Sequence, residues 1–146
     1  MILYLDTSAL VKRYFLEDDS SDVMAIWKSA GQVATSFVAY AETMACIHRK
    51  QREGGIAPDA TKEIITRFKN DWQSFIRVKV NADLCGRIDR VVAAHPLRGF
   101  DAIHLASALA INEHAPHDLV FACFDTRLLH AAAAEGLATF PSPSYD

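Results

Sequence analysis

The sequence predicts an α/β fold: a three-layer α/β/α sandwich around a mainly parallel central sheet of four to five strands. Two observations predict it. Short apolar runs of strand length alternate with longer segments of helical periodicity, and strands separated by helices pair in parallel. One such run, residues 119–124, is apolar throughout, as a strand covered on both faces would be.

In chain order, residues 2–5 read as the first strand and residues 8 to about 16 as the helix behind it. Ser20-Ser21-Asp22 signals a second helix, which ends at Gly31. Residues 32–35 form the next strand, followed by a long helix from about 37 to 53 that Gly54-Gly55 closes. Pro58 stands just inside a helical segment running to about Phe75. Residues 76–80 are a strand, 83 to about 95 a helix stopped by Pro96, and 101 to about 114 a helix stopped by Pro116. After the apolar strand, residues 126–135 make the last helix, and residues from about 137 to 146 a C-terminal strand and fraying tail.

At 146 residues, 51% hydrophobic and 23% charged, the chain reads as one globular domain. That composition excludes disorder, collagen and coiled coil. No stretch approaches the roughly 18 apolar residues that span a bilayer. The first apolar run is short, follows no basic residue and ends in an acid, so it is not read as a secretory leader. Cys46, Cys85 and Cys123 are far apart among apolar neighbours, which predicts buried thiols in a reducing cytoplasm. The net charge of −3 argues mildly against a nucleic-acid partner.

Four acids stand where acids are costly. Asp6 and Asp125 follow the first and the fully apolar strand, and in open α/β sheets ligands bind beyond such strand ends. Taken alone, each is read as a turn or a helix N-cap. Glu42 shares a helix face with Val38, Ala39, Ala45 and Cys46, so its carboxylate needs a base such as Arg49 or Arg13, a proton, or a metal. Asp101 opens the helix in LRGFDAIHLASAL, as a cap or at the buried rim beside Ala102 and Leu105. If the sheet gathers all four, a hard cation must sit between them. Mg²⁺ takes oxygen ligands beside phosphates, and a metal-bound water becomes a usable nucleophile.

DTSAL at the start, Glu42 within a helix, FDAIHLASAL, and FDTRLLHAA near the end together resemble the PIN-domain ribonucleases. The resemblance is closest to the VapC-type toxins of toxin–antitoxin pairs and spans Ile2 to about Gly136. It implies a PIN-like sandwich in which Asp6, Glu42, Asp101 and Asp125 hold one or two Mg²⁺ (or Mn²⁺) ions for endonucleolytic cleavage of RNA. Asp6 and Asp101 are the firmest ligands, while Glu42 and Asp125 ligate through water or act on the nucleophile. Ser8 matches a family hydroxyl that orients Asp6 or a water, and Thr7 is read as the helix cap. Many relatives carry Thr or Ser where this chain has Cys123, which leaves Thr126 as the alternative hydroxyl near Asp125. The resemblance further implies a homodimer and a small antitoxin whose basic side chain displaces the metal.

Without the four site acids the net charge turns positive, which reopens RNA as a partner. Arg98 and Arg127 are the foremost candidates for holding its phosphates, with Arg13 and Arg49 behind them. Competing readings are a PIN-fold binding module that does not cut, which would be expected to lack some of the acids, and a phosphorylatable receiver-like domain, which would want a late lysine where only Arg127 is offered. No Gly-x-Ser-x-Gly elbow or phosphate-binding Gly-Lys loop occurs. His114 and His117 lack a second ligand pair at zinc spacing, and His104 is read as packed and hydrogen-bonded.

Overall fold

Side chains alternate along each strand and feed two separate cores, which is why helices cover both faces of one sheet. The computed structural model describes residues 1–144. Its five strands are β1 (Ile2–Leu5), β2 (Gln32–Ser36), β3 (Ile76–Val78), β4 (Leu119–Ala122) and β5 (Ala138–Phe140). They lie in the order β3-β2-β1-β4-β5, every neighbouring pair parallel.

Leu3 and Leu5 of β1 point to one core, Tyr4 to the other. Helices α1 (Thr7–Leu10), α3 (Val38–Arg52) and α4 (Pro58–Ser74) cover the first, with Ile47, Phe68 and Trp72 packed on Leu3, Leu5 and Val33. Trp27 of α2 (Ser20–Ser29) joins this core from its margin. On the other face lie α5 (Ala82–Ala94), α6 (Gly99–His114) and α7 (Thr126–Ala134), whose Val91, Leu105 and Leu128 pack with Tyr4 and Phe121.

The order of construction positions the site. The chain adds β2 and β3 on one side of β1, then returns through α5 and α6 to add β4 and β5 on the other. Strand order therefore reverses between β1 and β4, and a crevice opens there beyond their carboxyl ends.

Four details depart from the sequence reading. The first helix is a four-residue α1 followed by a 3-10 turn at Val11–Arg13, not a helix to Leu16. That tightening brings both Tyr14 and Phe15 into the core and leaves Leu16 outside. Strand β3 stops at Val78, and Val80 is exposed. Helix α6 begins at Gly99, its first turn closed by the Ala102 amide donating to the Arg98 carbonyl at 2.9 Å, so Asp101 lies inside that turn instead of capping it. Cys123 is buried, but Cys85 is exposed on α5. The tail keeps the Ser144 carbonyl 2.8 Å from His130 Nε2, and the final two positions, 145 and 146, fall outside the described residues. Among the described residues no helix is long and apolar enough to cross a membrane.

Candidate active site

Both acids at the switch point are helix caps and more than caps. Asp6 Oδ1 accepts the Ala9 amide at 3.0 Å and the Ser8 hydroxyl at 2.7 Å. The Ser8 hydroxyl in turn accepts the Phe124 amide at 3.0 Å, which ties the end of β1 to the segment leaving β4. Asp125 Oδ1 caps α7 by accepting the Leu128 amide at 2.9 Å. In each carboxylate the capping bonds use one oxygen and leave Oδ2 outside them.

Asp6 is only 4% exposed. Burial pushes its carboxyl up to about 6; His104, Ser8 and the Ala9 amide offset part of that, and the charge of Asp101 adds to it. The Asp101 carboxyl is also raised, first by burial and then by the charge of Asp125, with a smaller push from Glu42 and opposing help from His104 and Arg98. Asp101 is therefore the acid whose charge is coupled to each of the other three.

Glu42 sits on α3 at the edge of the buried stripe of Ala39, Thr43 and Ile47; of the face expected, Ala39 is buried and Cys46 packs on the core, while Ala45 is exposed. It accepts the Thr7 hydroxyl at 2.7 Å and lies 3.0 Å from His104 Nε2. Burial pushes this carboxyl up, but the bonds from His104 and Thr7 and the His104 charge outweigh it, and it titrates below the ordinary glutamate range. Its partner is thus a histidine, neither Arg49 nor Arg13. Thr7, expected to cap α1, holds Glu42 instead.

Glu42, Asp101 and Asp125 line one cleft of about 630 Å³ together with Arg98 and Phe100. An adjoining depression of about 430 Å³ shares Arg98, Asp101 and Asp125 and adds Phe124, Thr126 and Arg127. Arg98 and Arg127 are exposed along this rim. Arg13 stands elsewhere: its Nε donates to Asp71 at 2.7 Å and its guanidinium lies over Trp27, fastening the 3-10 turn to α2 and α4. Arg49 is exposed on α3 about two turns, ~10 Å, past Glu42. Thr126 is exposed at the start of α7. The Cys123 thiol, kept protonated by burial and the charge of Asp6, donates to the Asp125 backbone carbonyl at 3.6 Å.

The donors are hard carboxylate oxygens, and the mutual repulsion at Asp101 is of the kind a divalent cation relieves, so the set fits Mg²⁺ in kind. Among the described residues no three His, Cys, Asp or Glu side chains already surround a single point. An ion that keeps several waters and takes one or two carboxylates does not require that they do.

A family model of the PIN domain matches residues 3–134. The chain belongs to the PIN domain family. This PIN domain is 32% identical over 145 residues to Ribonuclease VapC45 of Mycobacterium tuberculosis, covering 97% of this chain and 96% of the relative. FitAcB from Neisseria gonorrhoeae superposes with a TM-score of 0.70 at 18% identity, covering 96% of each chain. A toxin–antitoxin complex from Klebsiella pneumoniae contains a chain that superposes with a TM-score of 0.61 at 19% identity, covering 86% of this chain and 88% of that one. Both superpositions show the PIN sandwich.

Sequence reasoning missed how this PIN domain supports Glu42. His104 is 2% exposed and links β1 to α3: its Nδ1 lies 2.9 Å from the Tyr4 hydroxyl and its Nε2 faces Glu42. The available signal was a histidine one helical turn after Asp101 on an otherwise apolar face.

Proposed function

We propose that this chain is an endoribonuclease that hydrolyses RNA phosphodiesters with Mg²⁺ (or Mn²⁺), and that it is the toxin of a toxin–antitoxin pair. The observation that supports the reading is that Glu42, Asp101 and Asp125 line one cleft at the β1/β4 switch point beside exposed Arg98, next to the depression with Arg127, and that the charge of Asp101 acts on the buried Asp6. The relative named a ribonuclease, matched over nearly the full chain, supports it.

Asp6 and Asp101 would hold the cation, with Glu42 and Asp125 reaching it directly or through water. When bound, the metal supplies a water of lowered pKa and neutralises charge on the phosphate. The chain's own residues do the rest. Ser8 keeps Asp6 in place, and Thr7 with His104 holds Glu42 ionised, an acceptor that can orient a water near the phosphate. Arg98 and Arg127 hold the RNA backbone on the rim through salt-sensitive contacts.

A structural relative found as a toxin–antitoxin complex supports a small protein partner that covers the cleft until it is removed. We place the protein in the cytoplasm, as a homodimer built around the early helices; light scattering tests the latter. The decisive assay incubates total RNA with the protein in Mg²⁺ or EDTA, with Asp101→Ala as control. Cleavage confined to wild type in Mg²⁺ is expected. Bound but uncut RNA in Mg²⁺ would instead make the chain a binding module, and cutting in EDTA would remove the metal from the reading.

A further inference from the structure

Phe100 is the exposed aromatic at the acids. It precedes Asp101 in the first turn of α6 and leaves 57% of its surface to solvent. Beside it the cleft is floored by Ile88 of α5 and Ile103 of α6, both half-buried against the core. Glu42, Asp101 and Asp125 line the same cleft, and Arg98 is shared with the depression that also holds Arg127. Gly99 adds to the opening: a Cβ there would meet no atom within 4 Å.

The two depressions differ in chemistry while sharing Asp101 and Asp125. The first adds Ile88, Phe100 and Ile103 and is the more apolar; the second adds Phe124, Thr126 and Arg127 and is the more polar. A single-stranded polynucleotide has the same two-sided character, with apolar base faces on one side of the sugar and phosphates on the other. Unpaired bases of RNA are recognised by stacking on aromatic side chains, and such stacking tolerates any base because each has a π face.

The geometry points to a base-binding subsite: Phe100, on the apolar floor of Ile88 and Ile103, stacks the unpaired base next to the phosphate that is cut, while Arg98 and Arg127 take the neighbouring phosphates. This rests on the ribonuclease reading and adds to it the side chains that hold the base beside the cut. A duplex keeps its bases stacked and has none to offer Phe100. The charge arrangement favours a nucleotide over an apolar side chain of a protein, since only the nucleotide carries phosphates for the two arginines.

The test uses a short single-stranded RNA in which one base is 2-aminopurine, whose fluorescence is quenched on stacking. It is titrated with wild type, Phe100→Trp, Phe100→Leu and Phe100→Ala in Ca²⁺, a hard cation of looser geometry that screens the acids. Wild type and Phe100→Trp should quench the probe. Phe100→Leu, apolar but without a ring, should leave it bright. Phe100→Ala and Phe100→Leu should bind about tenfold more weakly, and the loss should vanish for an RNA lacking that base. Equal quenching by Phe100→Leu, or equal affinity of wild type and Phe100→Ala for the intact RNA, overturns the subsite while wild-type cleavage keeps the ribonuclease reading. Wild type that neither binds nor cuts any RNA in Mg²⁺ overturns both. If Phe100→Ala weakens only the complex with a neutralising protein and leaves RNA binding unchanged, the cleft belongs to that protein and the subsite is overturned.

Discussion

His104 Nε2 stands 3.0 Å from Glu42 Oε1, a contact between residues 62 positions apart that joins α6 to α3 across the end of β1. With Glu42 ionised, the ring donates a hydrogen bond from its Nε2–H to the carboxylate, while its Nδ1 lies 2.9 Å from the Tyr4 hydroxyl. Tyr4 is fully buried and its hydroxyl is held well above the usual tyrosine range by burial, so it stays a donor.

Replacing His104 by Phe removes both bonds and leaves Tyr4 and Glu42 without this partner. Unfolding free energy should fall by about 1–3 kcal/mol, the usual penalty for orphaned buried polar groups. Because the His104 bond lowers the Glu42 carboxyl, its loss should move the acidic limb of the pH–activity profile upward. A profile unchanged in position would mean that Glu42 does not act on the reaction through its ionised form.

Asp6→Asn should stabilise the protein in EDTA. Asparagine keeps an oxygen for the Ser8 and Ala9 bonds but carries no charge into a nearly closed site. The folded carboxyl titrates at about 6 against an unfolded value near 3.8, so the wild type loses stability as pH rises between the two and the deficit is complete above them. The gain at pH 8 is at most about 3 kcal/mol and should disappear near pH 4, read from urea midpoints. The same variant should have no nuclease activity.

Thr43 offers a gain away from the acids. Its hydroxyl is the buried side-chain polar atom without a partner among the described residues, on the α3 stripe of Ala39, Thr43 and Ile47 that faces the first core. Thr43→Val swaps that hydroxyl for a methyl of similar size and should raise stability by roughly 1 kcal/mol. A lower melting temperature would show that the hydroxyl has a partner in solution.

Glu135 closes α5 onto α7. Its two oxygens lie 2.8 Å from Arg90 Nη1 and 2.8 Å from His95 Nε2. The His95 bond, helped by Arg90 and opposed by modest burial, holds this carboxyl below the ordinary glutamate range. A lowered carboxyl stabilises above the unfolded value and loses that contribution as pH falls through the folded one. Glu135→Gln should therefore be less stable than wild type at pH 7, by about 1 kcal/mol, with the difference shrinking toward pH 3 in thermal melts.

Alternating apolar runs and helical stretches are local properties, and they sufficed to show the layered sheet, the strand ends and the acids Asp6 and Asp125 standing there. The four motifs likewise named the carboxylates, because residue type and spacing are written in the chain. Element ends were less legible: α6 begins at Gly99 because Arg98 and Ala102 close a turn, which no propensity at Asp101 reveals. Partners were hidden altogether. Arg13 meets Asp71 and not a phosphate rim, Glu42 meets His104 and not an arginine, and Thr7 reaches across to Glu42. Each of these pairs joins elements far apart in sequence, and which faces oppose depends on the order β3-β2-β1-β4-β5 and on the return of the chain through α5 and α6. Charge and burial act through space, so the sequence determined which groups are present, and only the tertiary structure decided which of them meet.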